Sequence, residues 1–265
     1  MEWKEEEINY MIENYHLVGP TKILEDFKVL FNINRSYKSI RSKANRLNLI
    51  LDKKYIYPNK EMFLNITDIR ISYIMGLIWS DGFLVNNQIG IEINKIDMDD
   101  IKSMFFELGE WYYTERLRKN RNKITANIQI CSKEITDIFK LYNYKNKSIA
   151  SPDLQKMGIK GDNIRYFIRG IMDGNGCIYT KNRVSQIHIA STYNQDWNYF
   201  SKIMEELGIK FKIRRILNKN TSHSIFYMGG IKNNLYFLNW LYKDYDYIGL
   251  KRKYNKYLDI LNVVL

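Results

Sequence analysis

Apolar residues recur along this chain with two different periods, and the change from one to the other divides it into elements. In Lys123-Ile124-Thr125-Ala126-Asn127-Ile128-Gln129-Ile130 every second residue is apolar and the face between is wholly polar, as in a half-buried strand. Ile89–Asn94 and Gln186–Ile189 alternate likewise, and Phe211–Arg214 more briefly. Asp99 through Leu108 and Trp197 through Leu207 instead carry apolar residues at helical spacing, and each closes on Glu-Leu-Gly. Lys145-Asn146-Lys147 follows the first of these stretches and Lys251-Arg252-Lys253 the second. The predicted order is helix, strands, helix, strands, helix, twice over. That is an α+β class with antiparallel sheets and two equivalent halves.

Each half opens on the same nine-residue pattern. Ile74-Met75-Gly76-Leu77-Ile78-Trp79-Ser80-Asp81-Gly82 and Ile168-Arg169-Gly170-Ile171-Met172-Asp173-Gly174-Asn175-Gly176 share a glycine at the third place, a small residue at the seventh and a glycine at the ninth. Gly76 with Ser80, and Gly170 with Gly174, form small-residue stripes on one helix face. Missing side chains let two helix backbones approach closely. A glycine within a helix costs about 1 kcal/mol against alanine, so three such glycines, with Ser80 in the fourth place, suggest a packing need. Gly82 and Gly176 are expected to end the helices in the left-handed conformation that glycine tolerates. Asp81 and Asn175 then stand at the feet of two adjacent helices, where their side-chain oxygens could seat a hard divalent cation.

These two stretches resemble the LAGLIDADG motif of homing endonucleases, and two copies in one chain resemble the monomeric, pseudo-dimeric members of that family. The resemblance spans about residues 66 to 260, with halves at 66–158 and 159–265. It implies a central two-helix interface, a curved sheet from each half laid on DNA, and metal binding by the residue before the last glycine: Asp81 in one copy, its amide counterpart Asn175 in the other. It also implies a basic residue near each scissile phosphate. Lys145 and Lys251 are chosen for that role, with Lys147 and Lys253 as rivals. Asp173 falls at the motif's sixth place, where a capping or structural role is favoured over catalysis. Lys123, Thr125, Asn127 and Gln129, with Gln186, His188, Lys212 and Arg214, lie on polar strand faces that could read base edges in a major groove.

Residues 1–50 follow neither pattern. Three helices can be drawn there: from about Glu5 to Tyr15 with Ile8, Met11, Ile12 and Tyr15 inward; from Pro20 with Ile23, Leu24, Phe27, Leu30 and Phe31; and from Ser36, an N-cap, with Ile40, Ala44 and Leu47. Lys38, Arg41, Lys43 and Arg46 fall on the outer faces of the third. This resembles a Myb-like or helix-turn-helix domain, whose last helix enters the major groove. Residues 51–65 read as the connection.

Composition adds a partner and removes rivals. A net charge of +12 implies a polyanion, first of all nucleic acid. Cys131 and Cys177 with His16, His188 and His223 are too scattered to build a zinc site, a disulfide framework or a histidine-based nuclease centre. The amino terminus has no signal-peptide core and no apolar run could span a bilayer, so a soluble intracellular protein is expected, with an organelle left open. The resulting reading is a monomeric endonuclease that hydrolyses phosphodiesters in a long, non-palindromic duplex with Mg²⁺ or Mn²⁺. Strand bias or loss of activity would follow from Asn175. The rival is a non-cleaving nucleic-acid-binding protein, an intron RNA maturase or a DNA-binding regulator.

Overall fold

A computed structural model describes residues 3–50, 58–118, 122–181, 184–218, 221–242 and 248–264. Two compact units divide the chain, residues 1–56 and 57–265. The connection expected at 51–65 falls partly on 51–57, outside the described residues.

In the smaller unit α1 (Glu5–Leu30) is one run broken at Gly19, whose φ of 72° and ψ of 177° precede Pro20. The two helices drawn from the sequence are therefore joined end to end across a kink, which is where glycine and proline break the ladder. Helix α2 (Tyr37–Arg46) follows, with the Ser36 hydroxyl accepting from the Ser39 N–H as its cap. Met11, Tyr15, Ile23, Phe27, Ile40 and Ala44 make the core. Ile12 and Leu30, expected inside, are exposed at 49% and 58%. The reason is a buried acid that the apolar pattern hides. Glu7 is fully buried and takes two hydrogen bonds from Arg35, at 2.9 and 2.8 Å. The inward stripe thus runs Glu7–Met11–Tyr15, and Ile12 turns out to solvent.

The Arg35 guanidinium holds the Glu7 carboxyl below its ordinary range. A depressed folded value adds stability above the unfolded carboxyl range and loses it as pH falls through the folded value. Hydrogen exchange of the α1 amides, corrected for intrinsic rates, should report weaker protection between about pH 5 and pH 3. In Glu7→Gln that slope should vanish; an unchanged slope would mean another group titrates there.

The larger unit contains two four-stranded antiparallel sheets of matching order. The first half runs α3 (Ile69–Asp81), β1 (Gly82–Val85), β2 (Gln88–Asn94), α4 (Lys95–Glu107), β3 (Tyr112–Arg118), β4 (Lys123–Cys131) and α5 (Lys133–Leu141). The second runs α6 (Asp162–Asn175), β5 (Gly176–Lys181), β6 (Val184–Thr192), α7 (Asn198–Glu206), β7 (Lys212–Asn218), β8 (Thr221–Gly229), α8 (Ile231–Tyr242) and α9 (Lys251–Val264). Sheet orders are β1-β2-β4-β3 and β5-β6-β8-β7. Registers match too, with Gly82 opposite Ile91 and Gly176 opposite Ile189. One core runs through both halves, with α3 and α6 at its centre. Among the described residues no helix is long and apolar enough to cross a membrane.

Candidate active site

Helices α3 and α6 lie against each other along the small-residue stripes. A Cβ added at Gly76 would stand inside 3.0 Å of the Phe167 carbonyl oxygen, and one at Gly170 equally close to that of Tyr73 and 2.6 Å from the Leu77 nitrogen. The obstacles are backbone atoms, so only glycine admits this approach. At Gly174 the obstacle is the Ser80 side chain.

Both helices end directly in a strand. Gly82 and Gly176, expected to be left-handed caps, have φ of −73° and −81° and are extended. Glycine is needed there for space: a Cβ would run into the helix's own last turn, the Ile78 carbonyl at Gly82 and the Met172 carbonyl at Gly176. The turn from helix to strand exposes the preceding residue, Asp81 or Asn175, at the helix foot.

Asp81 leans over the partner helix, its Oδ2 lying 3.2 Å from where a Gly174 Cβ would be. Among the described residues its carboxylate accepts no hydrogen bond. Burial raises its pKa, while Lys147, Lys253 and Arg252 pull the other way. Lys147 is fixed by three carbonyl oxygens at the foot of α3: Gly82 at 2.7 Å, Ser80 at 3.0 Å and Ile78 at 3.3 Å. Burial brings its pKa down to about 8, partly offset by Asp81. Lys253, 4% exposed, donates to the Gly176 carbonyl, and burial with Arg252 lowers its pKa. Lys147 and Lys253 thus hold equivalent carbonyls, Gly82 and Gly176.

Lys145 and Lys251 are not brought to the helix feet. Both are exposed, and the Lys251 ammonium lies 3.5 Å from Asp100. A signal for which lysines turn inward was present. Tyr144 and Leu250 are buried, and a side chain three residues on returns to the same face of a helical turn. That picks Lys147 and Lys253 and turns their neighbours outward. Tyr144 supports the first site directly, donating to the Ile78 carbonyl at 2.7 Å and packing edge-on against Trp79.

The second half uses polar groups in these places. Asp173, 1% exposed, accepts from the Tyr73 hydroxyl and the Leu250 N–H, both at 2.8 Å, so it ties α3 to the start of α9. Burial raises its pKa to about 6. Arg169, fully buried, donates to the carbonyls of Leu241 and Ile248. Sequence reasoning did not find Arg252, which binds Asp97 at 2.7 Å and so joins α9 to α4 of the other half.

On the sheet faces turned from the core, Lys123, Thr125, Asn127 and Gln129 lie along β4, and Gln186 and His188 along β6. Thr125 donates to Glu92 at 2.6 Å and Asn127 to Gln129 at 3.0 Å, so both are already engaged within the sheet. Burial lowers the pKa of His188. Lys212 and Arg214 lie along β7, with the Arg214 guanidinium 4.5 Å from the centre of the Tyr227 ring. Arg116 and Arg118 of β3, opposite Thr125 and Lys123, share the first face and had no signal in the apolar pattern. In the smaller unit Lys38, Arg41 and Arg46 are exposed on α2, whereas Lys43 is half-buried beside the Trp3 ring.

A divalent cation prefers carboxylate and amide oxygens. Asp81 and Asn175 supply them, and the unpaired Asp81 carboxylate carries the negative charge such an ion needs, against the opposing charges of Lys147, Lys253 and Arg252. Among the described residues no three of His, Cys, Asp or Glu converge into a metal cage. Such an ion would draw its remaining ligands from outside the protein.

Residues 162–259 match a family model described as a LAGLIDADG-like domain. No curated protein matches the chain in sequence. Among solved structures, meganuclease I-SmaMI bound to uncleaveable DNA with a TTGT central four is similar at a TM-score of 0.50 and 13% identity, over 76% of this chain and 90% of that one. The I-LtrWI LAGLIDADG homing endonuclease bound to target DNA gives 0.48 and 15%, over 78% and 91%. Full-length DUF199/WhiA from Thermatoga maritima gives 0.45 and 15%, over 78% and 65%. At such identities the likeness is one of fold. The chain therefore carries a LAGLIDADG-like domain in residues 162–259 and shares its two-half α+β fold with meganuclease I-SmaMI.

Proposed function

We propose that the protein is a monomeric, divalent-metal-dependent endonuclease acting on a long, non-palindromic DNA duplex. The observation that carries this reading is the group at the helix feet: an unpaired carboxylate, Asp81, flanked by two ammonium groups, half-buried Lys147 and buried Lys253, that backbone carbonyls hold in place. Asp81 would hold Mg²⁺ or Mn²⁺ at the foot of α3, and Asn175 is its uncharged counterpart at the foot of α6. A cation bound there supplies charge neutralisation at a phosphate and makes water more acidic. Lys147 and Lys253 would stabilise the negative charge that develops on the phosphate, and they need little reorganisation because their positions are already fixed. The two sheets differ in their polar residues, so the two half-sites of the target should differ. Cleavage of a randomised duplex library in Mg²⁺ and in Mn²⁺, beside a binding selection on the same library, tests the reading. Recovery of bound but never of cut sequences would move the non-cleaving alternative ahead, whether a DNA-binding regulator or an intron RNA maturase; Asn175 is the feature that favours it.

The same reading gives the smaller unit a share of the binding, through Lys38, Arg41, Lys43 and Arg46 of α2. A chain beginning at Pro58 should still fold and cut but show a shorter footprint. The slope of log K against log salt should become shallower by roughly one unit per lost phosphate contact. An unchanged footprint and slope would remove α2 from the interface.

A further inference from the structure

Two clefts flank the feet of α3 and α6, and they are counterparts. The first, of about 270 Å³, is lined by Asp81, Glu92, Asp97 and Asp173; the second, of about 370 Å³, by Asn175, Ala190, Gln195 and Trp79. The correspondence follows from the fold. Asp81 and Asn175 precede the matched glycines Gly82 and Gly176, and Asp173 and Trp79 stand three residues before them. Glu92 and Ala190 each follow the residue paired with that glycine, Ile91 or Ile189. Asp97 and Gln195 lie five residues further on. At each of these places an acid in the first cleft is matched by a neutral residue in the second. The charge change therefore extends well beyond Asn175.

The surroundings sharpen the contrast. Lys147 lines the second cleft, so the charged side chain there is positive. In the first, Glu92 is paired with Arg118 and Asp97 with Arg252, which leaves Asp81 as the open carboxylate. A second observation points to a ligand in that cleft. Asp173 lines it and is 1% exposed, and its Oδ1 has no hydrogen-bond partner. Leaving a buried carboxylate oxygen unpartnered is costly unless something else meets it. In the second cleft Gln195 is satisfied by its own surroundings, donating to the Ala150 carbonyl at 3.0 Å and accepting from Ser191 at 2.7 Å.

We infer that only the cleft at Asp81 takes a divalent cation, and that the protein accordingly cuts one strand of its duplex and leaves the other intact. In the second cleft a cation would meet the Lys147 ammonium, with no carboxylate among the lining residues to hold it. The single-strand outcome rests on the nuclease reading above; the cation count does not.

Crystals of the full chain soaked in MnCl₂ test the count through the anomalous signal of manganese. The expected result is one peak in the Asp81 cleft, absent in Asp81→Asn, and none in the Asn175 cleft. Asn175→Asp alone should add no second peak, because Lys147 lines that cleft and would pair with the new carboxylate, and Trp79 stands where the first cleft has Asp173. Peaks of comparable height in both clefts, a peak beside Asn175 alone, or none in either overturns the inference. Strand-resolved cleavage supplies the second readout. The strand served by the Asp81 cleft should be cut on the order of 100-fold faster, leaving nicked product. Equal rates on the two strands also overturn the inference. If manganese binds at Asp81 alone and neither strand is cut, the nuclease reading fails while the assignment of a single cation cleft stands.

Discussion

Asp81→Asn should lower the cleavage rate on the order of 100- to 1,000-fold, with DNA affinity within a few-fold of the parent chain. The substitution preserves shape and removes one negative charge. Losing the cation that would neutralise the reacting phosphate costs about this much in rate. Affinity has a different origin, since it is spread over many phosphate contacts and comes largely from counterion release. The fold should be indifferent, because among the described residues the Asp81 carboxylate accepts no hydrogen bond. Single-turnover cleavage of an end-labelled duplex, with binding by anisotropy and a thermal melt on the same preparation, separates the three quantities. Undiminished cleavage by Asp81→Asn in Mg²⁺ would remove this carboxylate from the chemistry. A lowered melting temperature would mean that it serves the fold.

The elements legible in the sequence were those with one wet face and one dry face. β4 alternates cleanly because its even positions from Ala126 to Ile130 enter the core while Thr125, Asn127 and Gln129 face outward. β3 gave no such signal: Tyr112–Arg118 is exposed or half-exposed along its whole length, so no dry face marks it. β8 failed for the opposite reason. Ser224, Phe226 and Met228 are buried, but Ile225 and Tyr227 between them are also large and apolar, and the period disappears.

The site was read in the same uneven way. The motif glycines foretold the close approach of α3 and α6, because nothing but bulk decides that approach. Which lysine of each Lys-x-Lys pair turns inward depended on the buried residue three places earlier, Tyr144 or Leu250. The ion pairs of Arg252 with Asp97 and Arg35 with Glu7 join residues far apart in sequence, and no local pattern announces them.

The paired helices carry the remaining large effect. Gly170→Ala should destabilise the larger unit by about 3 kcal/mol, as overpacking at a rigid contact does. The new methyl would meet the Tyr73 carbonyl and the Leu77 nitrogen, and neither can move without parting the helices. For a unit of this size that is a fall in melting temperature of about 6–12 °C. Gly170→Val should cost more, since its branches cannot avoid the same backbone. Gly174→Ala is the internal comparison. Its obstacle is chiefly the Ser80 side chain, whose hydroxyl now bonds the Leu77 carbonyl at 2.8 Å and can rotate away. It should therefore lose less than half as much, and Ser80→Gly placed beside it should recover most of that loss. Because Asp81 ends α3 and Lys253 is held at the foot of α6, parting the helices also moves the proposed metal ligand away from that lysine. Gly170→Ala should then cut more slowly even at temperatures where it is fully folded. Equal melting temperatures for Gly170→Ala, Gly174→Ala and the parent chain would show that the helices can yield, and that backbone contact does not set their spacing.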